Sequence, residues 1–348
     1  MKKLAHIALV CLLLAACQRH QEVPPPTWST ETATDGSFDL SEIEMSGELI
    51  ALTLTGPDTY YDYHGGHLGV HYLMCPDFAQ HLGVRLRMEA CRDTAELLQR
   101  LDAGDADLGV LSFQSDSLSP GWRIGSNKPE LAEALAAWYR PTMLAEAKAK
   151  EHQMLTQPRV RRHIYAPMLS KGVISHYDGY FKQYAKRIGW DWRLIAAQCY
   201  QESTFDPQAK SWAGATGLMQ IMPTTADHLG LPRDQLTNPE QNIAAATRYL
   251  KELEQAFSYI RDRQERQNMV LASYNGGANH VRDAMRLAER DRRNPQRWQD
   301  VKPYILRLSQ PEYYNDTLVR YGYMRGSETA DYVDKIRQRY DKYRRTVR

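Results

Sequence analysis

The chain has 348 residues, of which 43% are hydrophobic and 25% charged, with 44 Lys and Arg against 42 Asp and Glu. That length and apolar content suit two soluble domains, each with its own core. A net charge of +2 shows no polyelectrolyte character, and no nucleic-acid partner is expected. Lys2 and Lys3 open the chain with a short positive segment. Leu4 to Leu14 is apolar but too short to span a bilayer, and it runs into Leu14-Ala15-Ala16-Cys17.

Small residues ahead of a cysteine at this place resemble a bacterial lipobox. The resemblance implies a lipoprotein signal peptide over residues 1–16, cleavage before Cys17 and lipidation of that cysteine. Several acyl chains on one residue give a stable membrane anchor. Gln18, where inner-membrane lipoproteins carry Asp, implies an outer-membrane lipoprotein facing the periplasm. Residues 17–46 are polar, contain Pro24-Pro25-Pro26, and read as a tether. Cys75 and Cys91 fall in one domain and either pair or, with Cys199, remain buried free thiols. No His/Cys spacing suits a metal, and neither a metal nor a cofactor is expected.

From Gly47 the pattern becomes that of a folded domain. Leu49 to Leu54 is an apolar run suited to a buried strand. The segment GPDTYYDYHGGH reads as a polar loop. Leu68, Tyr72, Cys75, Phe78, Ala79 and Leu82 form a helical stripe. Val84 to Met88 alternates as a strand, Thr94 to Leu101 is helical and stops at Ala103-Gly104, and Leu108 to Leu111 is a third strand. Trp122-Arg123-Ile124 leads to a helix over Pro129 to Tyr139, and residues 140–171 form a charged helical connector. Beyond Ser175 the pattern is helical, over Tyr177 to Ile188, Trp192 to Tyr200, Ile243 to Phe257, Val270 to Tyr274 and Val281 to Leu287. The basic tail, Arg337 to Arg348, reads as a solvated helix face. The fold class is α+β: a small βαβαβ lobe with a parallel sheet, then a mostly α-helical domain.

The strand at Leu49, the YYDY loop, the FAQHLGV helix end and the LDAGDADLGVL segment resemble the first lobe of a periplasmic solute-binding protein. The resemblance implies a solute-binding-like lobe over residues 47–165, with an amino acid or muropeptide as its ligand class. The second lobe of that family has no counterpart, so the clamp has one jaw. Two readings follow: a binding or regulatory lobe facing through Tyr60, Tyr61 and Tyr63, or a structural spacer.

The stretch WRLIAAQCYQESTFDPQAKSWAGATGLMQIMPTTADHLG, Trp192 to Gly230, carries the chemistry. Ile195, Ala196, Cys199 and Tyr200 mark a buried helix, and Glu202 falls at its C-terminal end. Desolvation and the negative end of the helix dipole both disfavour ionisation there, which is what a general acid needs. Gly214 and Gly217 let the following loop bring backbone close to a ligand. By itself this pattern also describes a glutamate that merely ends a helix.

Four ordered motifs shift that balance: Glu202-Ser203; Gly217-Leu218-Met219-Gln220 with Ile221-Met222-Pro223; Ser273-Tyr274-Asn275-Gly276-Gly277; and Glu328-Thr329 followed by Tyr332-Val333. They resemble those of soluble lytic transglycosylase domains. With the upstream lobe, the chain resembles the membrane-bound lytic transglycosylase F family, with a shortened N-terminal part. The resemblance implies a lysozyme-like catalytic domain over residues 172–348. It also implies a carbon–oxygen lyase that binds peptidoglycan glycan strands and cuts the MurNAc-β-1,4-GlcNAc bond with 1,6-anhydroMurNAc formation, in cell wall remodelling. Glu202 matches the single catalytic acid/base. Ser211 matches a hydroxyl that contacts the glutamate or substrate, and Tyr274 a tyrosine that hydrogen-bonds the glutamate. Gln220, Met222, Asn275 and Glu328 match positions along the sugar cleft. Asp206 reads as a loop residue before Pro207, and Met219 as core. A lysozyme-like hydrolase and a non-catalytic wall sensor using the lobe are the alternatives.

Overall fold

A computed structural model describes residues 39–63, 65–112, 119–156, 169 and 172–347. The signal segment, Cys17 and the tether as far as residue 38 lie outside them. The expected tether ends earlier than residue 46, because α1 (Leu40–Ser46) is a capped helix. Asp39 and Glu42 form a reciprocal capping box, Ile43 is buried, and Gly47 closes the helix in the left-handed conformation. Polar composition conceals this, since only one residue of the helix is buried. The Asp39 carboxylate also accepts from the backbone N–H groups of Glu130 (2.9 Å) and Leu131 (3.1 Å). One side chain therefore caps α1 and also α4 (Pro129–Trp138), 91 residues on.

The lobe is built on β1 (Glu48–Leu54), which lies between β4 (Arg85–Cys91) and β5 (Leu108–Val110), parallel to both. The short β6 (Arg123–Ile124) adds antiparallel to β5, giving the order β4-β1-β5-β6. A central parallel strand is covered on both faces, which is why Leu49 to Leu54 is apolar without alternation. Leu49 and Ala51 pack with Phe78 and Leu131, whereas Leu52 packs with Leu97 and Leu101 of α3 (Thr94–Asp102). Just before β5, Asp107 forms a buried ion pair with Lys128 at 3.1 Å and also accepts from the Ile50 N–H.

Two expectations for the lobe are corrected. The polar YYDY loop is a hairpin of β2 (Tyr61–Tyr63) and β3 (Gly66–Leu68). The helical stripe from Leu68 is helical only from a 3-10 turn at Tyr72–Met74 into α2 (Cys75–His81), because Leu68 belongs to β3. Cys75 and Cys91 are free thiols in separate apolar clusters, and Cys199 is free in the helical core. Burial pushes all three thiols up from the ordinary range.

After α5 (Thr142–Thr156) the remainder is helical. It comprises α6 (Asp178–Ala185), α7 (Trp192–Ser203), α8 (Pro223–His228), α9 (Pro239–Ala256), α10 (Arg263–Gly276), α11 (Ala278–Arg290), α12 (Trp298–Arg307), α13 (Pro311–Tyr314) and α14 (Gly326–Thr346). The long α14 packs along α7 and α10. At its basic end Lys342, Arg344 and Arg345 are exposed, as expected of a solvated face, but the opposite side is packed. Tyr332, Val333, Ile336, Tyr343 and Val347 form a buried stripe between the charges, and Arg337 donates to Asn268 and to the Gln264 carbonyl. Tyr323, just before α14, enters the lobe core and meets Tyr61 edge-on at 5.1 Å.

Asp39→Ala should destabilise the chain by roughly 2–3 kcal/mol, since two helix N-termini lose their acceptor. Urea denaturation reads this as a lower midpoint, whereas the exposed Glu44→Ala should leave the midpoint unchanged.

Candidate active site

Asp191 starts α7 by accepting from the Arg193 N–H, and the helix ends abruptly after Ser203. Thr204 (φ 56°) and Phe205 (φ 63°) are consecutive left-handed residues, neither of them glycine. The strain is held because Phe205 is fully buried against Phe181 and Tyr200. This reversal leaves Glu202 on the last turn of α7, only 7% exposed, in the wall of a cleft of about 890 Å³.

Opposite Glu202 stands α14. The Tyr332 hydroxyl donates to Glu202 Oε1 at 2.5 Å and accepts from Gln198 Nε2 at 3.1 Å. The expected partner, Tyr274, does not make this bond; its hydroxyl donates to the Met219 carbonyl at 2.9 Å. The reason is register on facing helices, since α14 brings a second buried phenol to the carboxyl while α10 aims Tyr274 at the loop. Burial first, and then the neighbouring Glu202, raises both phenols well above the ordinary range, so both keep their protons and donate.

The loop between α7 and α8 is held from beneath by Asn242 of α9, which is fully buried. Its Oδ1 accepts from the Met219 N–H at 2.8 Å, and its Nδ2 donates to the carbonyls of Leu236 (2.8 Å) and Thr216 (3.1 Å). Gly217 (φ 85°) lies so close that a Cβ there would be 2.2 Å from the Leu236 carbonyl oxygen. Ser203 Oγ donates to the Leu218 carbonyl at 2.8 Å, tying the loop to the end of α7. Neither Asn242 nor Gln198 belongs to a sequence motif; each is a polar residue on an apolar helix face, the one signal that marks them. Tyr332 lies within the fourth motif, but no role for it is legible in the sequence.

All the expected cleft residues line this one cavity. Ser211 accepts from the Ala215 N–H at 3.0 Å and so shapes its own turn. Gln220 (φ 49°) donates to the carbonyls of Ala209 and Gly217. Asn275 accepts from Thr329 at 2.7 Å, joining α10 to α14. Asp206 stays outside the cleft and accepts from the Gln208 N–H, and Met219 is core.

The lobe supplies the rest of the wall through Asp62, Tyr63, Gly65 and His67. Tyr63 donates to the Glu328 carboxylate, 2.8 and 2.9 Å from its two oxygens, and its ring stacks on Trp212 at 5.9 Å. A Cβ on Gly65 would come within 2.5 Å of the Met222 side chain, so the hairpin rests on that residue. Tyr61 turns inward to Glu151. Two of the three tyrosines expected to face a ligand of the lobe are thus committed to internal carboxylates. The other acids of the cleft are also paired: Asp62 with His67 at 2.8 Å, Asp331 with Lys335 at 3.3 Å, and Glu328 with Tyr63 and Arg325.

The chain carries a match, over residues 179–296, to the model of the Transglycosylase SLT domain. It is similar to the protein named membrane-bound lytic murein transglycosylase F in several bacteria. In Desulfosudis oleivorans the identity is 45% over 157 residues, 45% of this chain and 34% of that protein. In Stutzerimonas stutzeri it is 32% over 273 residues, 72% of this chain and 55% of that protein. The chain thus spans about a third to a little over half of these relatives. Among solved structures, the 70 kDa soluble lytic transglycosylase of Escherichia coli is 25% identical, over 59% of this chain and 27% of that one, with a TM-score of 0.33.

Asn242→Leu should cost about 3 kcal/mol or more, because buried backbone groups of the loop lose their partners. Thermal unfolding reads the loss, and protease cleavage within residues 209–221 should accelerate.

Proposed function

We propose that the chain is a peptidoglycan lytic transglycosylase that cuts the MurNAc-β-1,4-GlcNAc bond of glycan strands and leaves a 1,6-anhydroMurNAc end. The observation that carries this reading is the Glu202 carboxyl, buried and hydrogen-bonded to Tyr332 in a cleft lined by all four motifs. Glu202 in its protonated form gives its proton to the glycosidic oxygen as the bond from C1 to that oxygen breaks. The N-acetyl group of the sugar supports the positive charge at C1. The Glu202 carboxylate then removes the proton of the C6 hydroxyl, whose oxygen closes onto C1. Because the nucleophile belongs to the substrate, a second carboxyl is not required, in contrast to the paired acids of ordinary glycosidases.

Tyr332 orients Glu202, and Tyr274 supports it indirectly by fixing the Met219 carbonyl. Ser211, Gln220, Met222, Asn275 and Glu328 line the strand-binding cleft of a lysozyme-like domain. Tyr63 and Trp212 add an aromatic wall, a surface suited to sugar rings. The upstream lobe is of solute-binding type, and its hairpin serves as part of this wall. Cys17, after Leu14-Ala15-Ala16, is the lipidation site of an outer-membrane lipoprotein facing the periplasm.

Purified peptidoglycan digested with the chain should release products with anhydro ends, 18 Da lighter than hydrolysis products, the mass of about one water. Reducing ends in mass spectrometry would identify a hydrolase instead, and glycan binding without cleavage a wall sensor. Glu202→Gln should lower turnover by at least about 10³-fold at unchanged thermal stability. Retained activity would refute the assignment. Cys17→Ser should abolish labelling of the chain by radioactive palmitate in cells.

A further inference from the structure

Gln198 lies one turn before Glu202 on α7 and is fully buried. Its Nε2 donates to the Tyr332 hydroxyl, while its Oε1, also buried, has no hydrogen-bond partner among the described residues. Such an orphan acceptor is costly, and an apolar side chain of the same volume avoids the cost. A stability argument therefore does not account for glutamine at this position.

The hydroxyl of Tyr332 has one proton and two neighbours, Gln198 and Glu202. Its two bonds must therefore run in one direction along the chain. When Glu202 is a carboxylate, Tyr332 donates to it and must accept from Gln198, which is the arrangement observed. When Glu202 carries its proton on Oε2, Oε1 still accepts from Tyr332 and the arrangement is unchanged; when the proton is on Oε1, the carboxyl donates to Tyr332, and Tyr332 must donate onward. A group that only donates, such as a lysine, would block that second arrangement. An amide turned half a turn about its last bond presents Oε1 in place of Nε2 and accepts. Among the described residues no other hydrogen bond holds the Gln198 amide in one orientation.

We infer that Gln198 is a positioning residue that reverses its amide so that Tyr332 holds Glu202 whichever of its two oxygens carries the proton. The inference rests on the acid/base role assigned to Glu202 above, in which one carboxyl must serve first as acid and then as base. Each arrangement leaves one end of the amide without a partner, so neither is locked. No proton leaves the chain of three groups except through Glu202, and Tyr332 remains a neutral phenol throughout.

Because the amide serves both states equally, its removal should lower the pH–rate profile without moving it. A fixed donor would instead favour the carboxylate, and its loss would move the profile to higher pH. The titratable groups nearest Glu202 are Cys199 on α7, Tyr274 on α10 and Tyr332 on α14, all raised by burial and neutral across the range. The other charged groups and histidines of the cleft are Asp62 on β2, His67 on β3, Lys210 in the loop, His280 on α11, and Arg325, Glu328, Asp331 and Lys335 at and along α14. All of these are retained in the variants.

The test uses the full chain on soluble, uncrosslinked glycan strands, comparing wild type, Gln198→Met, Tyr332→Phe and the double variant. Gln198→Met should lower kcat roughly tenfold, the scale of one buried hydrogen bond, with KM unchanged. Its Tm should be equal to or above that of the wild type. In the Tyr332→Phe background the same change should have no further effect, since the two residues act as one unit. Equal losses in both backgrounds, a profile displaced along the pH axis, or a kcat loss that follows a fall in Tm would each overturn the role. A wild-type chain that cuts no glycan would overturn the proposed function, and this role with it. Normal cleavage by wild type with an indifferent Gln198→Met would overturn this role alone.

Discussion

A carboxyl group held at the C-terminal end of a helix and taken out of water is disfavoured as an anion, and it must find a donor within the protein. Glu202 finds it in the Tyr332 hydroxyl, 130 residues later in the chain. Much of the helical domain follows from that one hydrogen bond. α14 has to lie along α7 for Tyr332 to reach, and the stripe of Tyr332, Val333, Ile336, Tyr343 and Val347 supplies the apolar contact that keeps it there. The stop after Ser203 must be abrupt, or Glu202 would be buried inside a longer helix. Two left-handed residues produce that stop, and the packing of Phe205 holds them.

The same logic governs the loop that faces the acid. Residues 209–221 have little regular structure, yet their backbone is placed by side chains from elements that are themselves rigid. Asn242 holds two of its backbone groups from below, Tyr274 holds a third, and Ser203 ties the loop to the helix that carries Glu202. Residues that a sequence motif would class as substrate contacts, such as Ser211 and Gln220, also spend hydrogen bonds on shaping the loop. Shape and recognition are therefore not separable at this site.

The β2–β3 hairpin joins the lobe to this arrangement. Its Tyr63 completes the partner set of Glu328 and covers one face of Trp212, and its tip rests on Met222. Tyr323 makes the reverse crossing, from the helical half into the lobe core. The cleft is thus a property of both halves, although each motif in the sequence belongs to one half. The YYDY segment read as a polar loop because a three-residue strand pair buries too few side chains to leave a period. The helix that Asp39 caps leaves no period either, since only Ile43 of α1 is buried.

The sequence alone was enough for the strand at Leu49, the parallel order of the small sheet, most of the longer helices and the place of Glu202 at the end of one of them. These are local matters, settled by apolar period, glycine position and helix-ending residues. Tertiary structure decided which phenol reaches the carboxyl, which side chains hold the loop, and that the basic tail has a packed stripe beside its solvated charges. Those outcomes depend on how two helices distant in the chain are aligned, and a shift of one residue turns a side chain by about 100° around the helix axis. A pattern of residue types carries no record of that alignment. Tyr274 and Tyr332 each lie in one of the four motifs, and only the packing of α14 against α7 and α10 decides which of them meets the carboxyl.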